Sequence, residues 1–129
     1  MDETKRQAMM SLAETVNQHI RSHEISDFRI LTLEGDTLRL AGSFDLSYYH
    51  DVELTITGVS WLDLPTCFWL DLSLSEPFAL TFPAKDAVSL QFTDCGAGRQ
   101  GAVCFEGDLS FHTGHVSYTP KPGALEDAP

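Results

Sequence analysis

From Tyr48 to Val59 apolar and polar residues alternate: Val52, Leu54 and Ile56 share one parity, and Asp51, Glu53, Thr55 and Thr57 share the other. Successive strand side chains point to opposite faces, so this stretch predicts a central β-strand with one dry face and one wet, acidic face. The same period of two recurs along most of the chain. Phe28–Leu33 and Thr37–Ala41, separated by Glu34-Gly35-Asp36, predict a hairpin whose turn uses the glycine. Phe68, Leu70, Leu72 and Leu74 predict a strand ended by Pro77; Phe78, Leu80 and Phe82 predict another, ended by Pro83; Val88, Leu90 and Phe92 predict a third. Ala102–Phe105 and Leu109–Phe111 read as a hairpin around Glu106-Gly107-Asp108, and Val116–Thr119 as a last short strand.

The first residues follow a different period. Met9, Leu12, Ala13, Val16 and Ile20 recur at helical spacing over residues 3–20, behind the N-cap candidate Asp2. An isolated helix of that length is marginal in water, so its apolar stripe must dock. Connections between the predicted strands are mostly too short for parallel crossovers. The expected fold is mainly β: an antiparallel sandwich or curled barrel of about eight or nine short strands with one N-terminal amphipathic helix. Residues 1–119 are expected to form one domain, and 120–129 a flexible acidic tail.

Charge narrows the function classes. Nineteen Asp and Glu against eight Lys and Arg give a formal charge of −11. Nucleic acid and anionic membrane are not expected partners, because phosphate binding needs clustered cations. A basic protein is. The odd cysteine count (Cys67, Cys95 and Cys104) and an N-terminus followed by an amphipathic run rather than an apolar one predict a reduced, cytoplasmic protein without a disulfide framework.

Several motifs have the wrong context for chemistry. Gly96-Ala97-Gly98-Arg99-Gln100-Gly101 fits G-x-G-x-x-G, but a strand pattern follows it where a dinucleotide site needs a helix. The kinase version of the loop needs a Lys and metal-binding Asp motifs downstream, and Lys121 in the tail is the one downstream Lys. The segment is expected to be a hairpin loop, across which Cys95 and Cys104 could face each other. His50 and Asp51 are adjacent strand residues and point apart, so they do not make a catalytic pair. His112 and His115 converge only if Thr113-Gly114 turns; with Cys104 they would then form a weak metal candidate. Acid pairs such as Glu34/Asp36 and Glu106/Asp108 bracket turn glycines, where acids are common for conformational reasons.

Aromatic residues sharpen the picture. Tyr49, Asp51, Glu53 and Trp61 share a parity, and Trp69 with Asp71 could join their face. Aromatic anchors in a charged surround have the composition of an interaction surface. The expected function is a non-catalytic acidic protein-binding module, of the bacterial immunity or inhibitor type, that docks a basic partner through Tyr49, Asp51, Glu53, Trp61 and Trp69. No cofactor is called for. A second expectation is a small-ligand binder with its pocket between the sheets or in a barrel mouth. A third is a metal-dependent enzyme using His112, His115 and Cys104.

Overall fold

The computed structural model describes residues 1–44 and 50–116, with the backbone alone for His50 and residues 114–116. Within them lie one helix and nine strands. The strands are β1 (Asp27–Glu34), β2 (Thr37–Ser43), β3 (His50–Ile56), β4 (Val59–Asp63), β5 (Cys67–Trp69), β6 (Ala79–Ala84), β7 (Ala87–Asp94), β8 (Arg99–Phe105) and β9 (Leu109–Val116); the helix, α1, spans Glu3–Ser22. They form two antiparallel sheets that do not close into a barrel, a five-stranded one in the order β5-β1-β2-β3-β9 and a four-stranded one in the order β4-β8-β7-β6. Tyr49, the 117–119 part of the predicted last strand and the 120–129 tail lie outside the described residues.

The predicted central strand ends at Ile56, where a bend at Thr57-Gly58 carries the chain into the other sheet, and its partner strand is bent in the same way. β3 and β4 are consecutive but belong to different sheets, separated only by Thr57-Gly58. β8 and β9 likewise belong to different sheets, so Glu106-Gly107-Asp108 is a bend and not the predicted hairpin turn. β3 pairs with β9, and β4 with β8, so two bent strands pass together from one sheet to the other. Two backbone bonds lock the crossing, Thr57 N–H to the Asp108 carbonyl and Glu106 N–H to the Gly58 carbonyl, each at 2.9 Å. The backbones meet so closely that a Cβ on Gly107 would lie 2.4 Å from the Thr57 carbonyl oxygen, and one on Gly58 2.6 Å from the Gly107 nitrogen. Gly58 also has φ +73°, the left-handed region that favours glycine. Polar turn composition is common to bends and hairpins; what separates them here is this contact between residues 49 positions apart.

The dry parities meet between the sheets. Leu38, Leu40, Val52, Leu54 and Ile56 from one sheet and Val88, Leu90, Phe92, Val103 and Phe105 from the other are all buried. Four phenylalanine rings join the sheets at one end: Phe68 stacks on Phe92 at 4.1 Å and on Phe28 at 5.7 Å, while Phe78 meets Phe28 and Phe92 edge-on. Each sheet makes room for its ring by the same device. Phe28 stands opposite Gly42 and Phe92 opposite Gly101, and a Cβ on either glycine would lie 2.3 Å from the ring. Gly101 is therefore a buried strand residue of β8, and the expected loop shrinks to the turn after β7.

The predicted 68–74 strand is also shorter than its alternation. It ends at Trp69, with Leu70 in a single bridge to Asp94. The Asp71 carboxylate accepts from the Ser73 backbone N–H at 3.0 Å, a local turn that takes the chain out of the sheet and leaves Leu74 exposed.

The helix is capped by Asp2, whose Oδ1 accepts from Lys5 N–H at 2.8 Å. It packs against β6 and β9, the edge strands of the two sheets. Met9, Ala13, Val16 and Ile20 are buried as their spacing requires. Met9, Val16 and Ile20 each contribute about 1.5–3 kcal/mol by burial. Asn17 lies on the same stripe and is buried too. Its amide gives a hydrogen bond to the Phe78 carbonyl at 2.8 Å and takes one from the Phe78 N–H at 2.9 Å, as a neighbouring strand would.

Two substitutions, with a third for comparison, test these links by urea denaturation. Gly107→Ala is expected to cost about 2–4 kcal/mol, because backbone on the other strand cannot yield as a side chain would; Gly35→Ala, where a Cβ meets open space at φ +60°, should cost about 1 kcal/mol. Asn17→Ala strands two buried backbone groups and is expected to cost about 2–4 kcal/mol; equal stability of Asn17→Ala and the parent would refute the clamp.

Candidate interaction surface

The sequence-predicted residues do not form one face. Asp51 and Glu53 are on β3 in the five-stranded sheet, and Trp61 is on β4 in the other. The bend at Gly58 breaks the parity on which their grouping rested. Trp69 is on β5, three strands from β3, roughly 14 Å at normal strand spacing. Both tryptophans are more than half exposed. Glu53 is buried and engaged: Arg39 on β2 donates to its Oε2 through Nε at 2.7 Å and through a second guanidinium nitrogen. Asp51 is half-buried, and its Oδ2 takes a long bond (3.4 Å) from the Phe44 N–H.

The metal and thiol expectations separate in the same way. Cys104 is on β8 opposite Ser89 and Trp61, whereas His112 is on β9 opposite Glu53. Thr113-Gly114 does not turn. The strand continues through Val116 with a register shift, His115 being part of its backbone. Cys95 sits at the β7–β8 turn, its thiol donating to the Trp69 carbonyl at 3.4 Å; it lies beyond the last ladder pair, Asp94 with Arg99, whereas Cys104 pairs with Ser89, so the two do not face each other. Among the described residues no group of three or more His, Cys, Asp or Glu is placed to hold a metal. The void between helix and sheets bounded by Ala13, Val16, Leu54, Phe78, Leu90 and Leu109 is about 10 Å³, room for no more than a water.

The surface that does assemble lies between α1 and β6. Gln7, Met10, Ser11 and Glu14 recur at i, i+3, i+4 and i+7 and so line one helix face beside the buried stripe. With Ala13, Phe78 and Leu80 they enclose a groove of about 280 Å³, and Glu76 stands across it. Glu14 and Glu76 are exposed, so two carboxylates belong to a groove of mixed polar and apolar lining. Asn17 holds the position: it ties Phe78 to the helix two residues after Glu76. Arg6, over the Phe82 ring at 4.8 Å, fastens the same strand further along. The sequence placed Ala13 on the helix's apolar stripe and Phe78, Leu80 and Phe82 on a strand, and marked none of these residues as a site. The available signal was Asn17, a polar side chain on the apolar stripe.

Acids also gather at the end where α1 begins. Glu34, Asp36, Glu106 and Asp108 are exposed around the strand crossing, to which Asp36 is tied by a Val59 N–H bond of 2.9 Å to its carbonyl. Lys5 lies 3.4 Å from Asp108, and the Met1 ammonium pairs with Asp86.

At its other end α1 closes in a left-handed cap. Glu24 has φ 56°, and Ile25 N–H reaches the Ile20 carbonyl at 2.9 Å. This last turn carries His19 and His23 with ring centroids 4.2 Å apart, and His19 meets Phe111 edge-on at 6.0 Å. Burial, and then the repulsion of a charged His23, push the His19 pKa below its ordinary value, against a smaller opposite pull from Asp51. A histidine with a depressed folded pKa binds its proton more weakly than in the unfolded chain. Its contribution to stability is therefore complete above the unfolded value, 6.5, and is lost as the pH falls through it toward the lower folded value. The unfolding free energy is expected to decline between about pH 7 and 5.5, above the range where most carboxylates titrate, and to decline less in His19→Gln. Identical slopes in the two proteins, measured by denaturation across that range, would contradict this.

Comparison of the chain with models of known protein families, with curated proteins and with solved structures finds no match in any of the three.

Proposed function

We propose that the chain is a non-catalytic acidic protein-binding module that docks a basic partner, seating one of the partner's Arg or Lys side chains in the α1–β6 groove. The observation that carries this reading is the groove itself, which sets the apolar side chains of Met10 and Leu80 beside Gln7, Ser11 and the carboxylates of Glu14 and Glu76. A long cationic side chain has the matching form, an aliphatic stem with a charged head. A net charge of −11, with acids collected around the strand crossing, would speed the approach of such a partner. Exposed Trp61 and Trp69, on separate sheets, are available as further anchors. A role of the immunity or inhibitor type, in which an acidic protein neutralises a basic effector, fits this charge balance.

The cytoplasm is the compartment we assign. Its support is that Cys67, Cys95 and Cys104 are all free thiols, two of them exposed. Among the described residues no helix is long and apolar enough to cross a membrane.

Titration with an arginine-rich peptide, followed by NMR, tests the groove. Resonances of Met10, Phe78 and Leu80 should shift. The double variant E14K/E76K should bind about tenfold more weakly at low salt, and E34K/E106K, which changes net charge equally, distinctly less so. Equal losses in the two double variants would mean that the peptide reads net charge and not the groove.

A further inference from the structure

The last turn of α1 places two imidazoles side by side, independently of the groove. His23 Nδ1 lies 3.0 Å from the His19 carbonyl oxygen and 3.1 Å from Ser22 Oγ. A carbonyl can only accept, so Nδ1 carries the hydrogen and Nε2 of His23 is left with its lone pair. Metal-binding histidines are commonly oriented by such a bond from the other ring nitrogen to a backbone carbonyl. His19, four residues earlier, is in the last turn of α1, and His23 is the C-cap residue that follows it; His19 meets Phe111 edge-on. With a metal–nitrogen bond of about 2.0–2.1 Å, each ring centre sits roughly 3.2 Å from the ion, and two such rings are about 5 Å apart at a tetrahedral angle. The two rings lie with centroids 4.2 Å apart and planes tilted by 30°, so to share one ion they must part by about 1 Å and turn their free nitrogens toward it.

The helix C-terminus carries the negative end of the dipole, and the Asp51 carboxylate is a neighbour of His19.

We propose that His19 and His23 form a two-imidazole chelate for a borderline divalent transition metal, of the Zn²⁺, Ni²⁺ or Cu²⁺ class, with water completing the coordination shell. Among the described residues no third side chain joins a ligand set. A two-histidine chelate binds more weakly than a closed four-ligand site, with Cu²⁺ the tightest of the three by the usual order of stabilities.

Titration of the full chain with Ni²⁺ at pH 7.5, followed in ¹H–¹⁵N and imidazole NMR spectra, tests this. At substoichiometric metal, paramagnetic broadening is expected first in the last turn of α1 and at Asp51 and Phe111. His19→Gln and His23→Gln should each move the midpoint at least about tenfold, and His112→Gln should leave it in place. The metal-free spectrum of each variant reports its folding, and the broadening pattern of the unaltered protein decides the matter if a variant unfolds. Broadening that begins elsewhere and spares the last turn, or midpoints within about twofold of one another in both variants and the parent, would overturn the proposal.

Discussion

At the crossing of the two bent strands, the Gly107 backbone rests on Thr57 and Gly58, closer than any side chain would allow. Most of the architecture depends on that contact. Because β3 and β4 bend where β8 and β9 bend, each keeps its partner while changing sheets. The angle between the sheets, and the width of the space between them, are set at this corner. A side chain at position 107 would prise the strands apart and open the core at that end.

With the corner fixed, the interior closes by matching shapes. Phe28 and Phe92 lie against glycines on their neighbouring strands, and their rings meet Phe68 and Phe78 between the sheets. The remaining opening, between edge strands β6 and β9, is filled by α1. The apolar stripe brings the helix there, and Asn17 sets its register by bonding to Phe78 as a strand would. A stripe of Met, Ala, Val and Ile can slide; a pair of hydrogen bonds to one peptide unit cannot. This is why the groove between α1 and β6 has a definite form, lined by Glu14 from the helix and Glu76 from the segment before β6, and why His19, at the far end of the helix, meets Phe111.

The distribution of charge follows from the same frame. Acids that the turn chemistry favours at 34–36 and 106–108 belong to loops far apart in sequence, and the crossing draws them together. Conversely, Glu53, on the wet face of β3, is neutralised by Arg39 from the adjacent strand. Acidity in the sequence is thus a poor guide to acidity at a surface. It depends on which strand lies next door.

Much of the fold was legible in the chain. Alternation located β1, β2, β3, β6, β7 and β8, and helical spacing located α1 within two residues of its end. Both are local properties, set by the geometry of side chains along a strand or around a helix. The errors occurred where a local pattern continued through a change of direction. Alternation runs unbroken through Gly58, so Trp61 was grouped with Asp51 although the bend sends it to another sheet. Leu72 and Leu74 alternate with Phe68, but the Asp71 carboxylate captures the chain first. Glu106-Gly107-Asp108 has the composition of a hairpin turn and is a bend. In each case a contact between residues distant in sequence, or a side chain's bond to its own backbone, outweighed the pattern. The sequence by itself determined the elements, the dry parity and the net charge, because these need only neighbouring residues. Tertiary structure alone decided which strands share a sheet, which acids remain free, and that helix and sheet edge enclose a groove, because strand partners, ion pairs and clefts are made between segments whose meeting no local rule specifies.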